Sequence, residues 1–466
     1  MNSLVSDGKP RLLLVSYDFP PVTSAGMYRI VGMAKYLQRM GWDITVLTVK
    51  DTFVHKTDAS LRLIPEDVRV VRTDAFEFRR VRRRVMGGSG RAGIGRAGEK
   101  GSSGEEGVGI LERILTVVFD AIDKLFSFPD AKAGWCLPLF LKAWQLVSRE
   151  RFDIVLSSSP PHSLHLSLLV LRRLKHFTWV TDFRDPWTIP GRGEKSSLGF
   201  RVRRSMEKAV IATCDYVVAN TPGNRDALLR EFGRRIEGRV SVVTNGLDVE
   251  LDVTGSNTGS PPVDCDLVYM GELYPGMLDA YARAVRAIKE EGRHRIPLLW
   301  VYGRTPGPAI RRVAEDNGVS SWIVHKGRVS YSRSRQIITD AKALLVLLPH
   351  WDGHETWVPS KLYSYLFSPS PILALVPRGD AARIVEETGR GVVVDTEKPE
   401  EIATAIVEFL KSVDSGAYAG ETNTQVVERY RMESVMAELN DVLGCCTGTA
   451  FGRVGRPGGV VTGSVI

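Results

Sequence analysis

Three short segments carry residues able to do chemistry. The first covers residues 354–365 (HETWVPSKLYSY). Pro359 stands where a helix would begin, a place that suits proline because an N–H there needs no partner. A helix start presents free backbone N–H groups and a partial positive charge, which fits a phosphate. Ser360 adds a hydroxyl and Lys361 a full charge. The same residues would equally make an ordinary capped surface helix. The second segment is DFRDPW, residues 182–187. Asp182 or Asp185 could hold a sugar hydroxyl or act as a base, and Arg184 could pair with a phosphate. An internal Arg–Asp salt bridge that shapes the loop is the competing reading. The third is SSSPPHSLHL, residues 157–166, where His162 could reach a crevice and His165 lies further into a helix.

The elements that must position these residues follow from apolar patterning. Residues 11–16 (RLLLVS) form a short apolar run, as in a buried parallel strand. A Pro- and Gly-containing loop follows. Met27, Ile30, Val31, Ala34, Leu37 and Met40 then recur at helical spacing before Gly41, and 44–49 (ITVLTV) reads as the next strand. This strand–helix–strand unit continues through strands at 154–157, 178–181 and 216–219, with a helix at 165–174. A second series begins after a Ser/Gly/Pro-rich stretch. Its strands are expected at 267–270, 298–302, 323–325, 343–348, 372–375 and 392–394, with helices such as 278–290 and 309–317 between them. The expected architecture is α/β, two Rossmann-like doubly wound domains facing a central cleft. The expected divisions are 10–248, a linker at 249–262, 263–424, a final helix over 425–444 and a loose tail at 445–466. In such sheets ligands sit outside the carboxyl ends of the strands, where the three chemical segments fall.

Length and composition agree. At 466 residues the chain exceeds one ordinary core. The 43% hydrophobic and 25% charged content is that of a globular protein. No stretch approaches the ~20 apolar residues of a membrane span, and the first residues lack the apolar core of a signal peptide. Five cysteines (Cys136, Cys214, Cys265, Cys445, Cys446) show neither metal nor disulfide spacing, so a reducing cytoplasm is expected. The net charge of +8 is local. Arg79, Arg80, Arg82, Arg83, Arg84, Arg91 and Arg96 fall in one acid-free stretch, inside a Gly/Ser-dense insert at 79–109. It reads either as a solvated arm or as a site for anionic lipid headgroups. The apolar stripe at 110–128 (ILERILTVVFDAIDKLFSF) reads as a helix packed on the domain or docked with the arm on a bilayer. No aromatic residues interleave the arginines, so nucleic acid is not expected. The Asp264–Cys265–Asp266 triplet mimics a metal motif but precedes its strand, away from the crevice, and no metal site is expected. No Gly-x-Gly-x-x-Gly fingerprint follows the first strand, which argues against a dehydrogenase.

Read together, VSYDFPPVTSAGMYR, SSSPPHSLHL, WVTDFRDPW, VVTNGLD, MGELY and VPSKLYSYL followed by PILALVPRGDAARIVEETGRGVVVD resemble the bacterial family-four glycosyltransferases of GT-B fold, in the branch that builds surface polysaccharides. The segments run from about residue 11 to 395. Each is weak alone, but their order and spacing are specific. The resemblance implies that the second domain binds a nucleotide diphosphate sugar and the first an acceptor. It also implies a final helix that crosses back, transfer with retention at the anomeric carbon, and no metal or other cofactor. Carried over, Gly26 lies in the loop facing donor phosphate and acceptor. His162, Asp182 and Asp185 line the acceptor side with Arg29 and Arg184. Ser360 and Lys361 grip the diphosphate, whose stabilisation as leaving group is the main electrostatic task.

Two departures stand out. The family has two glutamates eight residues apart around this turn, the second on the ribose. Here those positions are Thr356 and Ser364, with Glu355 adjacent to the first. The loop after the second domain's first strand, 272–277 (ELYPGM), has no base, so Arg304 or Arg378 would supplement Lys361. The leading expectation is a hexosyltransferase-like enzyme acting on a glycan or lipid-linked acceptor, cytoplasmic and held at the inner membrane face by the arm. The alternatives are a GT-B nucleotide-sugar epimerase and a non-catalytic paralogue that scaffolds an assembly.

Overall fold

The structure is a computed structural model. It describes residues 8–21, 24–50, 63–76, 128–188, 197–252, 264–350, 353–395, 399–418 and 420–448. The arginine insert at 79–109, the helix expected over 110–128 up to its last residue, most of the linker and the tail beyond 448 lie outside the described residues.

The first half is built on a parallel sheet of β1 (Arg11–Ser16), β2 (Asp43–Val49), β3 (Arg69–Thr73), β4 (Ile154–Ser159), β5 (Thr178–Phe183), β6 (Tyr216–Ala219) and β7 (Val240–Val242). Its order is β3-β2-β1-β4-β5-β6-β7. The helices are α1 (Ala25–Arg39), α2 (Cys136–Arg149), α3 (Ser163–Leu174), α4 (Leu198–Thr213) and α5 (Pro222–Phe232). The second half carries β8 (Leu267–Met270), β9 (Leu299–Tyr302), β10 (Ile323–Gly327), β11 (Leu344–Leu347), β12 (Ile372–Leu375) and β13 (Gly391–Val394), ordered β10-β9-β8-β11-β12-β13. Its helices are α6 (Asp279–Glu291), α7 (Gly307–Asp316), α8 (Tyr331–Asp340), α9 (Ser360–Leu366), α10 (Asp380–Thr388), α11 (Pro399–Asp414) and α12 (Thr424–Glu428), followed by α13 (Met432–Thr447). Both orders are doubly wound, reversing between β1 and β4 and between β8 and β11.

The apolar runs behave as expected for strands covered on both faces: Leu12 through Val15 and Leu344 through Leu347 are buried. In α1, Ser24 caps the start by accepting a hydrogen bond from the Met27 N–H (3.0 Å), and Met27, Ile30, Val31, Ala34 and Leu37 enter the core. The strand β3 was not foreseen. Its sequence, RVVRT, is charged at intervals because it lies at a half-buried sheet edge.

The single helix expected over 425–444 is two. The short α12 stays on the second core, where Val427 and Tyr430 pack. The chain breaks at residues 429–431, and α13 then buries Met432, Val435, Met436, Leu439 and Leu443 beside α1 in the first half. At the break, the Leu247 N–H donates to the Tyr430 carbonyl and the Met432 N–H to the Leu247 carbonyl, both at 2.9 Å. The two crossings between halves therefore run side by side.

The carboxyl edges of the two sheets face each other. Thr221, after β6, donates to the Thr356 carbonyl before α9 (3.1 Å), and the Gly223 N–H donates to the Asp380 carboxylate at the start of α10 (2.9 Å). Tyr28 in α1 stacks on Tyr331 at the start of α8, with centroids 4.9 Å apart. These contacts frame a crevice lined by the loops that follow the strands.

Candidate active site

On the second-half side the site is built around α9. Met270, the last residue of β8, donates its N–H to the Tyr365 hydroxyl (2.9 Å), which fixes α9 against the strand at the reversal point of the sheet. Lys361 consequently reaches back over β8. Its ammonium sits 3.5 Å from the centre of the Tyr269 ring, and a Cβ on Gly271 would lie 2.9 Å from it. Gly271 has φ of +138°, so both its backbone and the lysine demand glycine there. Among the described residues no carboxylate faces Lys361. Burial alone holds its pKa well below the usual lysine value. A half-buried cation whose partner is an aromatic face is set up to receive an anion.

Ser360 is exposed at the first position of α9, and Ser364 lies one turn on. At seven residues α9 has a weak dipole, so the attraction for a phosphate rests on Lys361 rather than on the helix start. Glu355 is exposed on the 3₁₀ turn His354–Thr356, whose backbone packs on Gly379; a Cβ at Gly379 would lie 2.2 Å from the Glu355 carbonyl. Arg304 is exposed in the turn after β9, where Thr305 accepts from the Leu273 N–H (2.7 Å) and ties that turn to the 271–278 loop. Arg378 is exposed, and its guanidinium bonds Glu386 at 2.8 Å in a surface ion pair.

On the first-half side, three expectations change. Asp182 is fully buried. It takes a two-pronged hydrogen bond from Arg29 (2.7 and 3.0 Å) and a third from Ser158 (2.6 Å). Arg29 is buried as well, and its remaining donors go to the Val243 and Thr244 carbonyls (3.0 and 2.5 Å). Asp182 is therefore not placed as an acid or base, nor Arg29 as an acceptor contact. They form an internal pair that ties α1 to β5 and to the 243–245 junction. Arg184 is likewise committed. It donates to the Ser159 and Pro160 carbonyls (2.9 and 2.8 Å) and to Asp18 (3.1 Å). Gly26 lies directly against it: a Cβ there would sit 1.6 Å from an Arg184 nitrogen and 2.6 Å from Asp18. The glycine is needed because the arginine occupies the space.

Asp185 and His162 remain. Asp185 is half-buried, and no described residue meets its carboxylate. His162 Nε2 lies 2.8 Å from the Asp185 carbonyl oxygen, so that nitrogen carries the proton and donates it. The His162 ring stacks on Trp187 (5.3 Å, 12°), and burial lowers its pKa, which keeps it neutral near pH 7. His165 is fully buried, with Nδ1 2.9 Å from the Ser157 hydroxyl, a core histidine as expected.

Tyr269, Gly271, Asp18 and Trp187 were not singled out from the sequence. A signal existed for Gly271. Both β8 and β9 end in an aromatic or Met residue followed by glycine, and a Cβ on Gly303 would lie 1.9 Å from the Gly271 carbonyl.

This arrangement, two doubly wound sheets meeting at their carboxyl edges with the last helix returned to the first half, recurs in solved structures. A glycosyltransferase from Rickettsia africae matches with a TM-score of 0.57 and 12% identity over 95% of this chain and 100% of its own. The fold is GT-B. Sucrose-phosphate synthase from Thermosynechococcus elongatus gives a TM-score of 0.60 at 13% identity, covering 93% of this chain and 98% of its own. The E. coli trehalose-6-phosphate structure bound with UDP-2-fluoro glucose gives 0.59 at 13%, covering 93% and 99%. In sequence, residues 100–251 match the family model of Glycosyltransferase Family 4. No curated relative matches. Among the described residues no group of His, Cys, Asp and Glu is arranged to hold a metal ion.

Proposed function

We propose that this chain is a family-four glycosyltransferase that moves a sugar from a nucleotide diphosphate donor to a glycan or lipid-linked acceptor. The observation that carries this reading is Lys361, a half-buried ammonium with no counter-charge among the described residues, at the reversal point of the second GT-B sheet. A diphosphate supplies the missing charge. As the donor's glycosidic bond breaks, negative charge grows on the leaving diphosphate, and Lys361 meets it in place. The exposed Ser360 hydroxyl supplies a further donor, and Glu355 and Arg304 border the same site. Across the crevice, the Asp185 carboxylate accepts an acceptor hydroxyl, and the neutral His162 with Trp187 forms a wall for the sugar ring.

The family match over residues 100–251 and the GT-B neighbours support transfer, and the resemblance of the sequence segments supports retention and a pathway that builds surface polysaccharide. We read the reaction as independent of metal and cofactor, so EDTA leaves turnover unchanged. The arginine arm and the segment after it would hold the enzyme at the inner face of the membrane.

A panel of nucleotides and nucleotide sugars tests the reading by thermal shift, since a ligand bound to the folded state raises the melting temperature by mass action. A shift with one nucleoside diphosphate and its sugar, abolished in Lys361→Ala, is expected. No shift with any member at millimolar concentration overturns it and favours the non-catalytic paralogue, which Ser364 in place of a carboxylate otherwise supports. Conversion of the sugar without acceptor marks an epimerase instead.

A further inference from the structure

In the first half, α2 is apolar on two faces. Leu139, Ala143 and Leu146 point into the core. On the opposite side Leu137 (66% exposed), Leu141 (58%) and Trp144 (36%) follow each other at i, i+4 and i+7 and face outward. A helix apolar all round belongs inside a core or at a membrane. The neighbouring helix continues the patch, with Val170 and Leu174 exposed one turn apart on α3. The two helices run side by side. The Ser167 hydroxyl donates to the Cys136 carbonyl (2.8 Å) at one end, and the Lys175 ammonium lies 5.0 Å from the centre of the Trp144 ring at the other. The five apolar side chains therefore share one surface.

The charge carried by the two helices themselves is all basic. Neither α2 nor α3 contains an acidic residue, and neither do Lys175 and His176 after α3. Arg149, Arg173 and Lys175 have no carboxylate partner among the described residues, whereas Arg172 is bonded to Asp215 (3.3 Å). A flat apolar stripe rimmed by unpaired cations complements anionic lipid headgroups over an acyl layer.

We infer that the α2–α3 face docks on an anionic lipid surface, with Leu137, Leu141, Trp144, Val170 and Leu174 entering the headgroup boundary. The crevice end of this face is the helix starts. Cys136 contacts the Ser163 carbonyl at 3.1 Å, immediately after His162. Docking therefore brings the acceptor side of the crevice to the bilayer, where a lipid-linked acceptor would lie. The docking step itself is independent of the transfer reading, and that reading survives if docking fails.

The test is co-sedimentation of the full chain with vesicles of phosphatidylcholine alone and with about a third phosphatidylglycerol. Wild type should partition to the anionic vesicles. Leu141→Asp/Leu174→Asp, both at exposed positions, should lose about tenfold or more in partitioning with an unchanged melting temperature. Deletion of 79–109 serves as a separate arm. Wild type that ignores anionic vesicles, or a double variant that binds like wild type, overturns the inference. So does binding lost only on deletion of the arm. A lower melting temperature in the double variant with binding intact shows the chain's own segment covering the face, and a change of oligomeric mass shows a second copy; both overturn it. Nucleotide-sugar thermal shifts on the same preparations report the transfer reading separately.

Discussion

Replacing Lys361 with alanine removes the half-buried charge at the centre of the proposed diphosphate site. At a separation of ~4 Å and an effective dielectric of ~20, one charge pair is worth about 4 kcal/mol. That corresponds to roughly a thousandfold in rate or affinity. Lys361 is half-buried, so water screens part of this, and a loss of about a hundred- to a thousandfold in kcat/KM is expected. The fold should not suffer. In the free protein the ammonium is desolvated without a counter-charge, so Lys361→Met should melt at or above the wild-type temperature. The pH dependence has a definite sign. Burial lowers the folded-state pKa below the ordinary 10.5, so between the two values the unfolded chain binds more protons. Wild-type stability should therefore rise with pH across that window relative to Lys361→Met. A bound diphosphate favours the ammonium, so donor affinity should fall as pH rises through the lowered pKa. Initial rates of nucleoside diphosphate release, donor titrations and melting curves from about pH 7 to 10 measure all three. Turnover in Lys361→Ala within about threefold of wild type would refute the reasoning, since the screened charge pair alone predicts far more.

Three further substitutions separate residues that hold the crevice from those that face it. Asp182→Asn strands the buried Arg29 charge and should cost about 3–5 kcal/mol in urea unfolding. Asp185→Asn should leave stability within about 0.5 kcal/mol while cutting kcat, because its carboxylate has no described partner. Gly26→Ala drives a methyl into Arg184 and should destabilise by about 1–3 kcal/mol, with transfer falling through the displaced Asp18–Arg184 pair; a crystal structure or urea melt checks the displacement. His162 has a lowered pKa, so it stays neutral down to pH values below its ordinary 6.5. Any acid limb in kcat/KM that disappears in His162→Gln should lie below that value, and an acid limb above it would contradict the neutral assignment.

Much of the architecture was legible because parallel strands covered on both faces leave short apolar runs. Leu12 to Val15 and Leu344 to Leu347 could be read directly, and the two doubly wound halves followed from the strand–helix alternation, whereas the strand order came only from the structure. The edge strand β3 was missed because half of it faces away from the core, so Arg69 and Arg72 break the run. The final helix was read as continuous because Val427 and Tyr430 keep an apolar pattern that α13 resumes; what divides it is which core each part enters. In the candidate site, Lys361 stood out by type and position. The confusion between Asp182 and Asp185 could not be resolved from the sequence. Both flank Arg184, and only the three-dimensional position of Arg29, 153 residues earlier, shows which carboxylate is already taken.

The chain treats two of its cations, Arg29 in the first half and Lys361 in the second, in opposite ways. Arg29 is given a carboxylate, two carbonyls and complete burial. A guanidinium satisfied in that manner has no donor left for a ligand, and its worth lies in fixing α1 and β5 relative to the junction at Val243–Asn245. Lys361 is given an aromatic face and a glycine that makes room for it. An ammonium left that way costs stability in the free protein, a cost that nothing else in α9 explains and that a bound anion removes. The difference between the pairs is what distinguishes framework from site. A charge satisfied within the chain holds its elements in place, and a charge left without a described counter-ion at the sheet's reversal point is the one to which we assign the proposed anionic donor.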